Sequence, residues 1–320
     1  MGPRERALLS VAWHIVMVSN ATPVRDGPQP QRISPGRLGW ARLVALAISV
    51  GFGIALVWAN ISTWDLEDMD AYWNAGQRLR DGLPLYPAVA DPGAADVFRY
   101  SPWFAWLWVV LTYLPKAAVQ IGWSGILLVA IPLALVPVLR HRSVAAICLA
   151  ALLGGFLFRS ASTGNVHALL VVALVHGVTR RSGPVWIGVA ASLKIVPIAY
   201  ALVYAGRGEW RRAGLSVAVL AVLVAPILAY DLTDYPVTSA GSFSFLTLGG
   251  PVLWTAGAAA AAVAIVLVAR SRFAWSAASI GALAALPRLQ SYDVTYLLVG
   301  LGSREPLSQR QPRPESGPRR

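Results

Sequence analysis

Apolar residues in this chain come in long runs separated by short polar stretches, and several runs reach the roughly 20 residues needed to cross a bilayer core. The runs lie at 38–60, 101–114, 117–139, 143–158, 166–178, 184–205, 213–230, 251–269, 273–286 and 294–301. They predict an all-α polytopic membrane protein with about nine or ten membrane segments, some of them partial. The run at 184–205 has basic residues at both ends, which conflicts with a single full crossing. A bent pair of half-helices hinged between Lys194 and Pro197 removes the conflict. The polar stretch 61–100 is the longest between runs and has helical character over 68–80, with Asp68 or Asp70 able to cap it. Turns are expected at Gly82-Leu83-Pro84 and at Asp91-Pro92-Gly93. This gives a large, ordered first loop.

Composition agrees with the pattern. The 320 residues are 56% hydrophobic and 13% charged, with mean hydropathy +0.57, against about 25% charged residues in soluble domains. The formal charge of +12 does not point to nucleic acid, because the bases cluster in the N-terminal 42 residues, in short loops and after Gly302. Such clusters mark the cytoplasmic side. They set the N-terminus inside and residues 61–100 outside, in a multi-pass protein of the cell membrane. A basic arm at 1–38, carrying a signal-like run at 7–18 that the following Pro-rich stretch argues is not cleaved, and a basic tail at 303–320 are expected to be disordered. The membrane domain is then 39–302. The lone Cys148 excludes a disulfide framework and reads as a buried apolar residue.

Charge also locates the candidate chemistry. Seven of the fifteen acids (Asp65, Glu67, Asp68, Asp70, Asp81, Asp91, Asp96) fall between 61 and 98. Asp68 and Tyr72 are four apart and share a helix face. A carboxylate there can take a proton from a hydroxyl as a general base, or be part of a solvated acidic loop. Of only two lysines, Lys194 lies in an apolar run, where an ionisable group is a functional candidate by default; the plain alternative is snorkelling. His167, after Gly164-Asn165, and Arg159 can donate to a phosphate, although a lone histidine is more often structural. Asp293 can contact a substrate or bond to backbone. The chain has no Walker loop, no HExxH, no GxSxG and no histidine spacing for a metal, so neither a metal nor a cofactor is expected.

Taken in order, Asp68-x-x-x-Tyr72, Gly82-x-Pro84-Leu85-Tyr86, Tyr100-Ser101-Pro102, Gly164-Asn165-x-His167, Leu193-Lys194-x-x-Pro197 and Tyr292-Asp293 resemble the actinobacterial polyprenyl-phosphate-mannose-dependent α-mannosyltransferases. These are relatives of the phosphatidylinositol mannoside mannosyltransferase, and the resemblance runs over about 40–300. It implies a GT-C-like helical bundle and an inverting enzyme of the cell envelope. Such an enzyme moves a mannosyl or related residue on the outer face from a polyprenyl-phosphate sugar donor to a lipid or glycan acceptor. The matching base is Asp68, with Asp70 as alternative. Lys194, His167, Arg99 and Arg159 would bind the donor phosphate, and Tyr72, Trp73, Tyr86, Asn165 and Asp293 the substrates. Two other readings share the buried charges: a transporter or flippase of lipid-linked substrates, with Lys194 and Asp293 as ligands in broken helices, and an inactive scaffold.

Overall fold

The computed structural model describes residues 35–89, 97–141, 143–235 and 245–303, without the side chains of 35–38 and Phe245. The expected arm, apart from 35–38, the tail beyond Ser303 and the turn at 91–93 lie outside the described residues. Contacts divide the chain into a unit up to Val44 and one from Ala45 onward. Within the first, the described part is the opening of a helix.

The described elements are helices: α1 (Pro35–Ile61), α2 (Glu67–Arg80), α3 (Pro102–Leu111), α4 (Lys116–Leu139), α5 (Val144–Ser162), α6 (His167–Gly177) and α7 (Gly183–Leu193). After them come α8 (Ala201–Gly206), α9 (Trp210–Val224), α10 (Phe245–Val268), α11 (Ala274–Ala284) and α12 (Leu297–Gly302). Three 3₁₀ segments, Val196–Tyr200, Ala225–Ala229 and Ser291–Tyr296, join α7 to α8, extend α9 and precede α12. Five helices, over Gly39–Ile61, Lys116–Leu139, Val144–Ser162, Trp210–Ala229 and Leu246–Val268, are long and apolar enough to cross a membrane. Shorter apolar helices lie between them. The protein is an all-α, multi-pass membrane protein.

Breaks in these helices follow local chemistry. Lys194 is extended (φ −136°, ψ 112°) and ends α7 ahead of Pro197, whose ring cannot continue an α-helical hydrogen-bond ladder. The chain resumes as 3₁₀ and then as α8, as the hinge reading required. Gly250 (φ 72°) and Pro251 break α10 near its start. Pro132 and Pro137 lie inside α4 without ending it. Where helices press together the contact residues are small: a Cβ on Gly155 would come within 2.9 Å of Leu56, and glycine lets the backbones approach so closely.

Two local expectations are corrected. Helix α2 begins at Glu67, with its N-cap at Leu66 and no side-chain cap; Asp68 and Asp70 lie inside the first turn, where the helix dipole favours their charge. The break between the apolar runs at 143–158 and 166–178 is shorter than the hydropathy pattern indicates, because Ser160, Ala161 and Ser162 continue α5. The hydroxyls of Ser162 and Thr163 bond back to the carbonyls of Arg159 and Ser160, which satisfies them within the helix end.

The core gathers the short elements. Tyr72, Trp108, Leu174, Ile187, Tyr200, Tyr204 and Tyr296 are fully buried. The aromatic residues of α2 and α3 form one packed set: Tyr72 lies 4.9 Å from the Phe104 ring and 5.3 Å from that of Trp108. This cluster fixes the first-loop helix on the bundle, at the end where the polar residues converge.

Candidate active site

The N-terminus of α2 docks on the α5–α6 turn through the backbone. Leu66 N donates to Ser162 O (3.1 Å) and Asp68 N to Thr163 O (2.8 Å). Gly164 makes this approach possible. It has φ +76°, and a Cβ there would stand 2.7 Å from that of Met69. Leu66 adopts φ 55°, a left-handed conformation that costs about 1–3 kcal/mol in a non-glycine residue, and the docking hydrogen bonds hold it. The strain lies two residues before Asp68.

The docked turn opens on a cavity of about 390 Å³. Four elements build its wall: Glu67 and Asp68 of α2; Val97, Arg99 and Tyr100 at the end of the first loop; Arg159, Thr163 and Asn165 around the α5–α6 turn; and Leu193–Val196 at the broken helix. The fifth side is the linker after α11, from Leu286 through Arg288 to Asp293. The ionisable groups on it are four cations (Arg99, Arg159, Lys194, Arg288) and three carboxylates (Glu67, Asp68, Asp293). The wall thus offers both signs of charge, cations able to hold an anion and carboxylates able to accept a proton.

Burial raises the Asp68 carboxyl above the usual carboxylate range; the polar side chains of Asn165 and Thr163 and the charges of Lys194 and Arg99 pull it down without cancelling the rise. A carboxylate so placed is a stronger base than a solvated one. Asn165 joins the polar wall together. Its amide donates to Tyr292 OH (3.3 Å) and to Tyr100 OH (3.4 Å), and its oxygen accepts from His167 N (2.9 Å).

Also on the cavity wall, Lys194 Nζ lies 3.4 Å from Asp293 Oδ1 and 4.6 Å from the centre of the Tyr292 ring. Asp293 Oδ2 accepts from Gln290 N (2.8 Å), so this carboxylate caps its own 3₁₀ segment while facing the lysine. Asp293 thus bonds to backbone, one of the two alternatives its sequence position left open. Arg159 donates to Asn60 Oδ1 (3.1 Å) and also reaches the cavity.

The structure therefore brings Asp68, Arg99, Arg159, Asn165, Lys194 and Asp293 to one cavity and places the other candidates elsewhere. Asp70 pairs with Lys116 (2.9 Å) and does not line the cavity. His167 is fully buried behind Asp293, with Nδ1 3.7 Å from Oδ1 and Nε2 2.8 Å from Thr295 Oγ1. Tyr72, Trp73 and Tyr86 are buried and lie in packing layers rather than on the cavity wall. Tyr72 OH bonds Tyr100 OH (3.0 Å), and Tyr86 OH donates to Tyr100 O (2.8 Å). Among the described residues no group of three or more His, Cys, Asp or Glu side chains is placed to hold a metal ion.

Sequence reasoning missed Glu67, Arg288 and Gln290 as cavity residues. The available signal for Arg288 was an arginine next to a proline in a polar break between two short apolar runs.

No curated protein and no solved structure matches the chain. The model of glycosyltransferase family 87 matches residues 98–286. That segment holds Arg99, Arg159, Asn165 and Lys194, while Asp68 and Asp293 reach the same cavity from outside it. A match over more than half of the chain makes this protein a member of glycosyltransferase family 87.

Proposed function

We propose that the protein transfers a mannosyl or related residue from a polyprenyl-phosphate sugar to a lipid or glycan acceptor on the outer face of the cell membrane. The observation that carries this reading is the meeting, in one cavity, of the Asp68 carboxylate with the cations Arg99, Arg159 and Lys194. In the reaction an acceptor hydroxyl oxygen forms a bond to the anomeric carbon while the bond from that carbon to the phosphate oxygen breaks. Attack opposite the leaving group inverts the centre. Asp68 takes the hydroxyl proton, and the bond electrons leave with the polyprenyl phosphate, whose charge the cations stabilise. A donor anchored by its lipid meets the enzyme at the membrane, which supplies much of the orientation that such a reaction needs.

Membership of a glycosyltransferase family favours this reading over a transporter or flippase. The cytoplasmic N-terminus and outward-facing first loop belong to the same proposal and rest on the distribution of basic residues. The test is transfer of radiolabelled sugar in membranes containing the protein, with polyprenyl-phosphate mannose, glucose and arabinofuranose compared. The expected result is a labelled lipid or glycan from the mannose donor, absent from control membranes. Labelling from a nucleotide sugar alone, or from none of the donors, would overturn the donor assignment.

A further inference from the structure

One cavity cation has no place in the reading above. Arg288 follows Pro287 in the linker between α11 and the 3₁₀ segment, two residues beyond the family match. Its neighbours fix the backbone: Leu286 is buried, and Pro287 restricts φ. Arg99, from the other end of the matched segment, lines the same cavity. Its backbone carbonyl accepts from Tyr235 OH (3.0 Å). After burial itself, the charge of Arg288 is the next influence holding the Arg99 guanidinium below its ordinary range. Two like charges on the wall of one cavity repel one another, and an anion held between them converts the repulsion into charge-assisted hydrogen bonds.

Each cavity cation has a contact within the protein: Arg99 Nη1 donates to Val97 O (3.3 Å), and Arg288 Nε donates to the Gln290 side-chain oxygen (2.7 Å) in the amide orientation that satisfies both. Lys194 faces Asp293 (3.4 Å), and Arg159 donates to Asn60 (3.1 Å). Beside the pair, Leu193, Ile195 and Val196 at the helix break give the cavity an apolar margin. Ile195 is largely exposed there.

We infer that Arg99 and Arg288 form a two-guanidinium clamp for a phosphate group carried on a lipid, with the first carbons of that lipid lying against the apolar margin at the broken helix. Planar guanidiniums suit this task because each can offer two parallel N–H donors to phosphate oxygens. The identity of the lipid rests on the transferase reading, whereas the clamp rests on the cavity.

The test uses the full chain in detergent micelles and follows the ligand-induced shift of the thermal midpoint with concentration. The probes are polyprenyl phosphate, the neutral polyprenol of the same length, and inorganic phosphate as competitor. The wild type is expected to prefer polyprenyl phosphate to polyprenol. Arg288→Gln and Arg99→Gln should each weaken polyprenyl phosphate binding about tenfold and leave polyprenol binding unchanged. Arg288→Lys should recover part of the loss, as a point charge without the fork. The double variant should lose less than the two single losses combined, since one anion bridges both. Binding of polyprenyl phosphate by either Gln variant within twofold of the wild type overturns the clamp, as does an equal loss for both lipids. Inorganic phosphate separates the sources: competition at millimolar concentration supports a clamp for the phosphate alone, and selectivity without competition supports one that takes it only on a lipid. Sugar transfer is assayed separately. Arg288-dependent binding in a protein that transfers nothing keeps the clamp and overturns the transferase reading, and transfer with Arg288-independent binding does the reverse.

Discussion

Helix α10 and helix α7 are both apolar, yet they do opposite work. The 23-residue stretch of α10 is long enough to span a bilayer, and only 6% of its most apolar window is buried in the protein. Leu267 and Val252 are more than three-quarters exposed. The 11-residue α7 buries Ile187, Gly188, Ala190, Ala191, Ser192 and Leu193 and then breaks at Lys194 on the cavity wall. From Pro251 to Val268 α10 runs on without a further break, and a helix of that length satisfies its own backbone and meets lipid with its side chains. A short broken one leaves polar groups that must be satisfied inside the protein. The functional residues therefore collect on the short elements, away from the strongest hydropathy signals.

This contrast can be broken from the buried side. Lys194→Met should have the largest effect on stability, because it leaves the buried Asp293 carboxylate without its cation; removing one partner of a buried pair costs about 3–5 kcal/mol. Thermal unfolding in detergent would check this, with Lys194→Arg, which keeps the cation, recovering most of the loss. Gly164→Ala should cost about 1–3 kcal/mol, because the new methyl meets Met69 in a left-handed backbone. It should also lower transfer by shifting the Asp68–Thr163 docking bond, so initial rates normalised to folded protein would fall too. At the other extreme, Leu267→Ala on the exposed face of α10 should change stability by no more than about 0.5 kcal/mol. A large loss there would mean that this face packs on something other than lipid.

A further prediction sharpens the site rather than the fold. Burial holds the Asp68 carboxyl above the usual range, and the base must be deprotonated to act. Activity should therefore fall as pH drops through a value above the ordinary aspartate pKa of about 3.9. An acid limb in the initial-rate profile at or below that value would contradict the buried-base assignment.

Much of the fold was legible in the sequence because bilayer thickness fixes the length of an apolar run. The first-loop helix, the spans at 117–139 and 251–269 and the break at Lys194 follow from run length, charge and proline. The left-handed Leu66 was not legible: it is imposed by hydrogen bonds to Ser162 and Thr163, about a hundred residues away in sequence. The site was legible in part. Asp68, Arg159 and Lys194 stood out as polar groups beside apolar runs, Arg99 and Asn165 entered through the family resemblance, and all five line the cavity. The aromatic residues Tyr72, Trp73 and Tyr86 have the composition of a sugar platform, but whether an aromatic face meets a cavity or a neighbouring helix depends on tertiary packing. Arg288 was hidden for the same reason, in a linker whose position only the packed bundle defines.

The central claim is that chemistry is confined to the cavity at the α5–α6 turn, and α2 itself supplies the most direct test. Asp68 and Asp70 share one helical turn and one side chain type, but Asp68 lines the cavity while Asp70 pairs with Lys116 outside it. Initial rates of sugar transfer from polyprenyl-phosphate mannose should fall by about 10²–10⁴ in Asp68→Asn, the size of a lost general base, and stay within a few-fold of the wild type in Asp70→Asn. Equal rates for the two variants, or a larger loss in Asp70→Asn, would contradict the account.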